Sequence, residues 1–436
     1  MLTPVASTSK KHFDAPLIQA GAALPFLLVT SLFFLWGMPN NLNDVLIRQF
    51  MKSFEISRFQ AGLVQSAFYL GYFLLATPAA LLMRRFGYKT GIVSGLVLLG
   101  SGCILFWPAA LVGRYSFFLF ALFVIACGLS FLETAANPFI AQLGDPANAA
   151  RRLNIAQSFN PLGAITGALV GTLFIFSGVE LSANQVKAMQ LASTYAHYLQ
   201  SETLRVVLPY LVIGGIAFLL AVVIGRVRFP AVSVESREGT LGMPGQGGFR
   251  DLLRYPHFLL AILTQFMYVG AQVGTWSYFI QYVQDSVHAP EKVAGYFLTG
   301  TLASFGIGRF CSSFVMRWIS PARLMGLYAM INIGLIAIGV LHLGWVGLWA
   351  IFLSSFFMSV MFPTIFALGL DGLGENTKIG ASLLVMAIVG GAILTPVMGI
   401  LSRYGIQIAY LVPLVGYLFV VLYAFWGCHL KTASHS

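Results

Sequence analysis

Charged side chains are scarce in this sequence: Asp, Glu, Lys and Arg make up 9% of its 436 residues. Soluble domains carry about 25%, so the composition argues against a soluble enzyme or binding domain. The sequence also lacks a phosphate-binding loop and a nucleophile triad, and its few cysteines have no metal-ligand spacing. We expect neither enzymatic activity nor a bound metal or cofactor, and we expect the cysteines to be small packing residues: Cys103, Cys127, Cys311 and Cys428.

Long apolar runs are abundant, and 58% of the residues are hydrophobic. Each run is about 20 residues long, enough for a helix to cross a hydrocarbon core of roughly 30 Å. The runs are continuous rather than alternating, which favours helices over the strands of a membrane barrel. The sequence predicts an all-α integral membrane protein with twelve transmembrane helices, at residues 22–47, 60–83, 89–109, 115–141, 152–177, 204–226, 257–284, 292–317, 322–342, 346–370, 378–402 and 406–428.

Basic residues are distributed unevenly between the predicted loops. Sixteen of the 25 Lys and Arg residues lie on the side that holds the amino terminus, eight lie on the opposite side, and Arg309 lies within a span. Because cytoplasmic loops carry the excess of Lys and Arg, both termini are predicted to be cytoplasmic. This topology also accounts for the net charge of +11, so we expect a lipid bilayer, and no nucleic acid, as a partner.

The predicted spans divide into two sets of six. A Gly- and Pro-rich linker at 227–256 separates a bundle at 22–226 from a bundle at 257–428, with tails at 1–21 and 429–436. Short matches recur in the same order in both bundles, among them Gly163-Ala164-Ile165 with Gly391-Ala392-Ile393, and Ala61-Gly62 with Ala294-Gly295. They predict a duplicated six-helix unit, with two bundles related by pseudo-two-fold symmetry and a site between them at the midplane.

Two acidic residues, Asp44 and Glu133, are the only ones that we place inside predicted spans. A carboxylate at the bilayer centre costs about 2.5 to 3.5 kcal/mol on insertion scales, and the spans offer no obvious lysine partner. Neighbouring Asn and Thr side chains could cap both acids in a structural role. The functional alternative is that a buried carboxyl group holds a proton in one state and releases it when water reaches it. This alternative predicts that Asp44 and Glu133 couple transport to protons.

The first half presents polar side chains where the second half presents apolar ones. The pairs, aligned through the repeats, are Glu133 with Met358, Asn137 with Phe362, Gln157 with Val385 and Asn160 with Ile388. A cavity with one polar and one apolar wall suits a sugar, which has hydroxyls on one face and C–H groups on the other. The candidate sugar-binding residues are Glu133, Asn41, Gln157, Asn160, Asn137, Gln272, Trp276, Trp36 and Phe362.

Several of these positions have a structural interpretation as well. Asn41 follows a proline closely and could cap or break the first span. Gln272 and Trp276 lie four residues apart on one helix face, where a Trp often serves in packing alone. Arg309 either extends its side chain toward the cytoplasm or forms a gating salt bridge. A paired-carboxylate glycosidase would need a cleft open to water, which acids inside membrane helices do not provide.

Five stretches are unusual for membrane spans: Asn40-Asn41-Leu42-Asn43-Asp44, Phe59–Tyr69, Leu132–Phe139, Leu153–Asn160 and Tyr268–Gln272. Together they resemble the L-fucose:proton symporter branch of the major facilitator superfamily, and the resemblance runs from about Phe26 to the end of the twelfth span. It implies a multi-pass sugar symporter of the bacterial inner membrane that works by alternating access.

The resemblance also implies roles for individual residues. By motif position, Asp44 and Glu133 correspond to the family's two essential acids, and Glu133 also contacts the sugar. The other corresponding positions in the cavity are Asn41, Gln157 and Asn160 in the first half, and Gln272 and Trp276 in the second.

One pair of residues departs from the family pattern. Met361 and Phe362 stand where the fucose-type pattern has Gln and Tyr, before the proline of the tenth span. An amide and a hydroxyl are therefore missing from the expected sugar-facing surface. We expect a monomeric, proton-coupled importer of a neutral monosaccharide, L-fucose or a related hexose or deoxyhexose. The alternatives are a glucose/galactose-type importer, an uncoupled facilitator or exchanger of the same fold, and a sugar receptor that does not transport.

Overall fold

A computed structural model describes residues 18–19, 21–144, 149–230, 249–316, 318–373 and 376–430. The predicted tails at 1–21 and 429–436 and the linker at 227–256 therefore lie largely outside the described residues. Within the described residues, all regular secondary structure is helical. The predicted all-α fold class is confirmed.

Eleven described helices are long and apolar enough to cross a membrane, and the 25-residue helix Glu291–Val315 provides the twelfth span. We number the spans 1 to 12 in chain order. Their bounds are Ala23–Phe54, Arg58–Met83, Arg85–Val112, Tyr115–Ile140, Ile155–Ile175, Tyr195–Arg226, Pro256–Ser277, Glu291–Val315, Pro321–Leu341, Trp345–Leu370, Leu383–Tyr404 and Ile406–His429. We call the end that carries the connection between spans 1 and 2 the outer end, following the predicted topology, and the opposite end the inner end.

Local sequence sets the boundaries of the second and third spans. Ser57 begins span 2 with a capping box, in which its hydroxyl accepts the backbone N–H of Gln60 and the Gln60 side chain binds the backbone N–H of Ser57. Gly87, at φ 82°, is a non-helical residue at a kink in the first turn of span 3, and Gly113, at φ 66°, ends span 3. Both glycines adopt left-handed conformations that residues with a Cβ atom rarely reach.

Several spans that the sequence predicts as uninterrupted are broken in the structure. Span 5 comprises the end of the helix Ala149–Gln157, then Phe159–Val170 and a π turn at Gly171–Ile175. The predicted seventh span, 257–284, breaks after Ser277, and Phe279–Val287 follows. Span 10 is interrupted between Trp345–Met358 and Met361–Leu370. Span 11 is interrupted between the end of the helix Thr377–Met386 and the helix Gly390–Leu401.

The interruption in span 10 coincides with a hydrogen bond from another span. The hydroxyl of Tyr268, on span 7, donates to the backbone carbonyl of Met358 at 2.7 Å. A carbonyl that a side chain satisfies no longer needs the amide of the next helical turn, so the helix can end at Met358 and restart at Met361. Sequence patterns within span 10 do not reveal this partner, because it comes from another span.

Close glycine contacts hold each half together. The Cα atoms of Gly163 and Gly167 on span 5 lie against the backbone carbonyls of Phe34 and Met38 on span 1. In the second half, Gly390 on span 11 packs in the same way against a backbone carbonyl of span 7. Spans 1 and 5 therefore pair in the first half as spans 7 and 11 pair in the second, as a duplicated six-helix unit predicts.

The two halves meet at the outer end through the glycines that the repeats align. Gly62 on span 2 packs against Pro396 on span 11, and Gly295 on span 8 packs against Thr172 on span 5. Within the described residues, spans 4 and 5 make at most isolated contacts with spans 10 and 11. The described conformation is therefore closed at the outer end.

The four cysteines do not share one environment. Cys103, Cys127 and Cys428 are buried, as expected, whereas Cys311 is exposed. The expectation is wrong for Cys311 because it lies on the outward face of span 8, between the exposed side chains of Phe310 and Phe314.

Candidate functional site

Asp44 lies inside the bundle, on span 1, with 3% of its surface exposed. Its Oδ1 atom accepts hydrogen bonds from Gln65 Nε2 on span 2 and from Ser277 Oγ on span 7, both at 2.9 Å. Gln65 Nε2 also lies 2.9 Å from Ser277 Oγ. Three spans from both halves therefore meet at this carboxyl group.

Glu133 lies on span 4, about as deep in the bundle as Tyr72 on span 2. The Tyr72 hydroxyl donates to Glu133 Oε1 at 3.2 Å, and Asn40 on span 1 lies beside the same hydroxyl. Glu133 is half-buried, whereas Asp44 is almost fully buried. Glu133 is thus the more accessible of the two acids in this conformation.

A line of polar side chains continues from Glu133 toward the inner end. Asn137 Nδ2 donates to the backbone carbonyl of Glu133 at 3.0 Å, and Gln157 Nε2 donates to Asn137 Oδ1 at 3.2 Å. Asn137 is half-buried and Gln157 is exposed. Since exposure rises from Asp44 to Gln157, the polar wall opens toward the inner end.

Tyr69 connects the two acids. It lies close enough to interact electrostatically with both Asp44 and Glu133, and its ring packs against Gly391 of span 11. Among the described residues, neither acid belongs to an ion pair with Lys, Arg or His. The arrangement can therefore hold or release a proton at either carboxyl group without first breaking a salt bridge.

The remaining first-half candidates pack within their own half. Trp36 is 3% exposed and lies against Phe33, with ring centroids 4.2 Å apart. Asn160 Nδ2 donates to the backbone carbonyl of Phe33 at 3.4 Å. Asn41 Nδ2 donates to the carbonyl of Gly37 in its own helix, at 3.3 Å. Contact of these three residues with a sugar remains a prediction.

Trp276 is the best anchored candidate of the second half. Its Nε1 donates to Ser355 Oγ at 3.0 Å, and the same oxygen accepts the hydroxyl of Thr301 at 2.7 Å. The Trp276 ring also meets Phe305 edge to face, with centroids 5.0 Å apart. Gln272, one turn earlier on span 7, is half-buried.

The two residues that depart from the family pattern have different surroundings. Met361 is fully buried, so its side chain is part of the core. Phe362 is only partly buried, and its ring stacks on Phe366 with centroids 6.4 Å apart. Of the two substitutions, the one at Phe362 therefore bears more directly on an accessible surface.

Arg309 contacts the interrupted backbone of span 10. Its Nε donates to the carbonyl of Ser359 at 3.4 Å, and its guanidinium lies 5.0 Å from the centroid of the Phe305 ring. It also lines a cleft of about 570 Å³ between spans 8 and 10, together with Asp371. None of the predicted sugar-binding residues lines this cleft.

A cluster of ionised groups joins the halves at the outer end. Lys52 Nζ lies 3.0 Å from Glu202 Oε2 and 3.0 Å from Glu291 Oε1. Glu291 Oε1 also accepts the backbone N–H of Gly178 at 3.1 Å and lies 3.5 Å from Ser177 Oγ. We call these five residues the outer ion-pair cluster. Lys52, Ser177, Gly178 and Glu202 belong to the first half, and Glu291 to the second.

Sequence reasoning missed several residues of this arrangement. Gln65 and Tyr69 lie within one of the family-like stretches, which was the available signal for them. Ser277 is a single small polar residue in an apolar span, so no pattern distinguishes it. Glu202 and Glu291 lie at the ends of predicted spans, yet they are 2% and 0% exposed. Among the described residues, no group of three or more potential ligands could hold a metal ion.

Comparison with known proteins gives a consistent picture. The family model of the Major Facilitator Superfamily matches residues 25–387. The L-fucose-proton symporter of Escherichia coli strain K12 is 42% identical over 417 residues, which cover 94% of this chain and 94% of that protein. The glucose/galactose transporter of Brucella abortus strain 9-941 is 35% identical, covering 98% of this chain and 99% of that protein.

Two solved structures share the fold. The transporter FucP, determined in the outward conformation, is 42% identical, with a TM-score of 0.68 over 93% of this chain and 99% of its own. A bacterial homologue of the human lysosomal transporter Spinster, 16% identical, gives a TM-score of 0.74 over 96% of this chain and 100% of its own.

Proposed function

The chain belongs to the major facilitator superfamily, and we propose that it is a proton-coupled symporter that imports a neutral monosaccharide by alternating access. The observation that carries this proposal is the pair Asp44 and Glu133, two carboxyl groups inside the bundle with hydrogen-bond donors but without a described basic partner. The proton gradient drives transport without a nucleotide or another cofactor. The protein acts as a monomer in the bacterial inner membrane, with both termini in the cytoplasm.

The transport cycle follows from the placement of the polar wall. In an outward-open state, a protonated acid and the amides of the first half bind the hydroxyls of the sugar, and aromatic side chains cover its apolar face. Closure of the outer end brings spans 2 and 11 and spans 5 and 8 together, as in the described conformation. Water then reaches Glu133 from the inner end past Asn137 and Gln157, and the sugar and the proton leave to the cytoplasm.

The substrate is L-fucose or a related hexose or deoxyhexose. Similarity to the E. coli L-fucose-proton symporter supports L-fucose. The second candidate is a glucose/galactose-type sugar, favoured by Phe362, which offers a partly exposed ring where the fucose-type pattern has a hydroxyl. Phe362 therefore belongs to the substrate-determining wall, together with Gln272 and Trp276. Trp36, Asn41 and Asn160 complete the sugar site in the outward-open state.

Uptake into vesicles with an imposed proton gradient tests this proposal. We expect wild-type protein to accumulate a labelled monosaccharide above its external concentration, and Asp44→Asn and Glu133→Gln to lose accumulation. A panel of unlabelled hexoses and deoxyhexoses, used as competitors, identifies the sugar. Equal accumulation by both variants would refute the role of the acids, and uptake that stops at equilibrium in the wild type would favour an uncoupled facilitator.

A further inference from the structure

Three hydrogen bonds join Asp44, Gln65 and Ser277 to one another, and the donor of each bond can be assigned. The amide nitrogen of Gln65 carries two hydrogens and no acceptor, and it lies 2.9 Å from both Asp44 Oδ1 and Ser277 Oγ. If one hydrogen is given to each oxygen, the hydroxyl hydrogen of Ser277 is left for Asp44 Oδ1, also at 2.9 Å. One carboxyl oxygen thus accepts two donors.

This geometry favours an ionised carboxylate. Hydrogen bonds to a charged acceptor are roughly twice as strong as those between neutral groups, so two donors on one oxygen stabilise Asp44 after it has lost its proton. Within the part of the chain that the structure describes, the titratable side chains that face Asp44 are Tyr69 on span 2 and Tyr210 on span 6, and neither brings a positive charge. The donors therefore have the main local role in stabilising the ionised state.

The two donors belong to different halves of the protein. Gln65, on span 2, belongs to the same half as Asp44, so a rigid separation of the halves leaves this contact in place. Ser277 is on span 7, in the second half, and it lies as far along the chain from Asp44 as Gly295 lies from Gly62. When the halves separate at the outer end, Ser277 moves away with its own half, and Asp44 keeps one donor.

We infer that Ser277 is a positioning residue for proton coupling: its hydroxyl binds the ionised Asp44 only while the outer end is closed, and so ties release of the proton to closure. The inference rests on the proposed symport. In the outward-open state Asp44 takes up a proton from the external side. Closure brings the Ser277 donor, and the proton leaves Asp44 for water that enters from the inner end. No other bond is made or broken.

Ser277→Ala tests the inference in reconstituted vesicles, with Ser277→Thr as the matched variant that keeps the hydroxyl. The probes are labelled L-fucose and, separately, labelled D-galactose. Loss of one charge-assisted hydrogen bond lowers the equilibrium constant for release of the Asp44 proton by about tenfold. We expect accumulation by Ser277→Ala to fall to about a tenth of the wild-type value, while counterflow, which needs no net proton release, stays within about twofold when it is measured below its pH midpoint. Ser277→Thr restores accumulation.

The pH profile distinguishes this role from a merely structural one. Without the Ser277 donor, the pH of half-maximal counterflow moves up by about one unit, and Ser277→Thr returns it to the wild-type value. Infrared difference spectra provide a second readout: the carboxyl band that Asp44→Asn removes should titrate at higher pH in Ser277→Ala. Should Ser277→Ala not fold, Ser277→Cys, a weaker donor of similar size, takes its place in the same comparison.

Wild-type accumulation and an unchanged pH profile in Ser277→Ala would overturn the inference and leave the proposed function intact. Equal loss of accumulation and counterflow, without rescue by Ser277→Thr, would also overturn it, because the serine would then be structural. Absence of gradient-driven accumulation in the wild type with both probes would overturn the proposed function and the inference with it.

Discussion

Neutralising Glu291 should open the outer end. Glu291 is the one member of the outer ion-pair cluster that comes from the second half, and it is fully buried. Its Oε1 atom lies 3.0 Å from Lys52 Nζ and 3.1 Å from the backbone N of Gly178, both in the first half. Glu291→Gln keeps the size and one acceptor oxygen but removes the charge that makes these bonds strong.

The size of the effect follows from the bonds. A hydrogen bond to a charged group contributes about 1.5–3 kcal/mol and a neutral one about 0.5–1.5 kcal/mol, so two weakened bonds amount to about 2 kcal/mol. Removing one partner of a buried ion pair can cost about 3–5 kcal/mol. That range is an upper limit here, because Lys52 still contacts Glu202 at 3.0 Å. About 2 kcal/mol shifts the balance between closed and open outer ends by about 30-fold.

A single reporter cysteine measures this shift. Thr172 is fully buried where spans 5 and 8 meet. Its hydroxyl donates to the carbonyl of Ala168 in its own helix, so Thr172→Cys disturbs no described hydrogen bond between spans. The background is Cys311→Ser, because Cys311 is the exposed cysteine. We expect a membrane-impermeant maleimide, added from outside, to label Thr172→Cys at least tenfold faster when Glu291→Gln is present.

Glu202→Gln is the matched control. It weakens an ion pair of the same length with the same lysine, but both partners belong to the first half. It should therefore leave the labelling rate within about twofold of the reporter alone. Equal acceleration by Glu202→Gln and Glu291→Gln, or no acceleration by either, would refute the view that Glu291 holds the halves together.

Three further predictions concern single contacts. A methyl group at Gly399 would lie 2.7 Å from a backbone carbon of span 2, so Gly399→Ala should hold the outer end open and lower uptake at least about tenfold. The control Gly215→Ala, whose added methyl group meets nothing within 4 Å, should not lower uptake. Equal uptake by the two variants would contradict this prediction. Phe362→Tyr adds a hydroxyl to the proposed sugar-facing surface of the second half. The inhibition constant of L-fucose against labelled uptake should then fall about fivefold, and an unchanged inhibition constant would contradict this prediction. Tyr72→Phe removes the donor to Glu133 Oε1 and should reduce gradient-driven accumulation about fivefold; uptake equal to wild type would show that this bond is dispensable.

The helical fold was predictable because hydrophobic length determines it. Twelve apolar runs give twelve spans, since every backbone polar group in the membrane must be satisfied within a helix. The breaks in these spans were not predictable, because their causes lie elsewhere in the chain. The first α-helical segment of span 10 stops at Met358, whose carbonyl accepts the hydroxyl of Tyr268, ninety residues earlier.

The candidate site was predictable only in part. Asp44 and Glu133 stand out because carboxyl groups are costly in apolar spans. Ser277 does not, since its importance depends on the orientation of span 7, which places its hydroxyl 2.9 Å from Asp44 Oδ1. Glu291 and Glu202 look like loop residues until folding brings Lys52 between them. Sequence thus identifies the carboxyl groups that are costly to bury, whereas their hydrogen-bond and ion-pair partners come from tertiary contacts.

External pH recorded during sugar entry tests the central claim most directly. Addition of the transported sugar to de-energised vesicles should make the outside more alkaline as protons enter with it. In Asp44→Asn combined with Glu133→Gln, the alkalinisation should vanish, because neither of the two proposed proton-coupling carboxyl groups remains. Sugar entry without alkalinisation in the wild type, or undiminished alkalinisation in the double variant, would contradict the account.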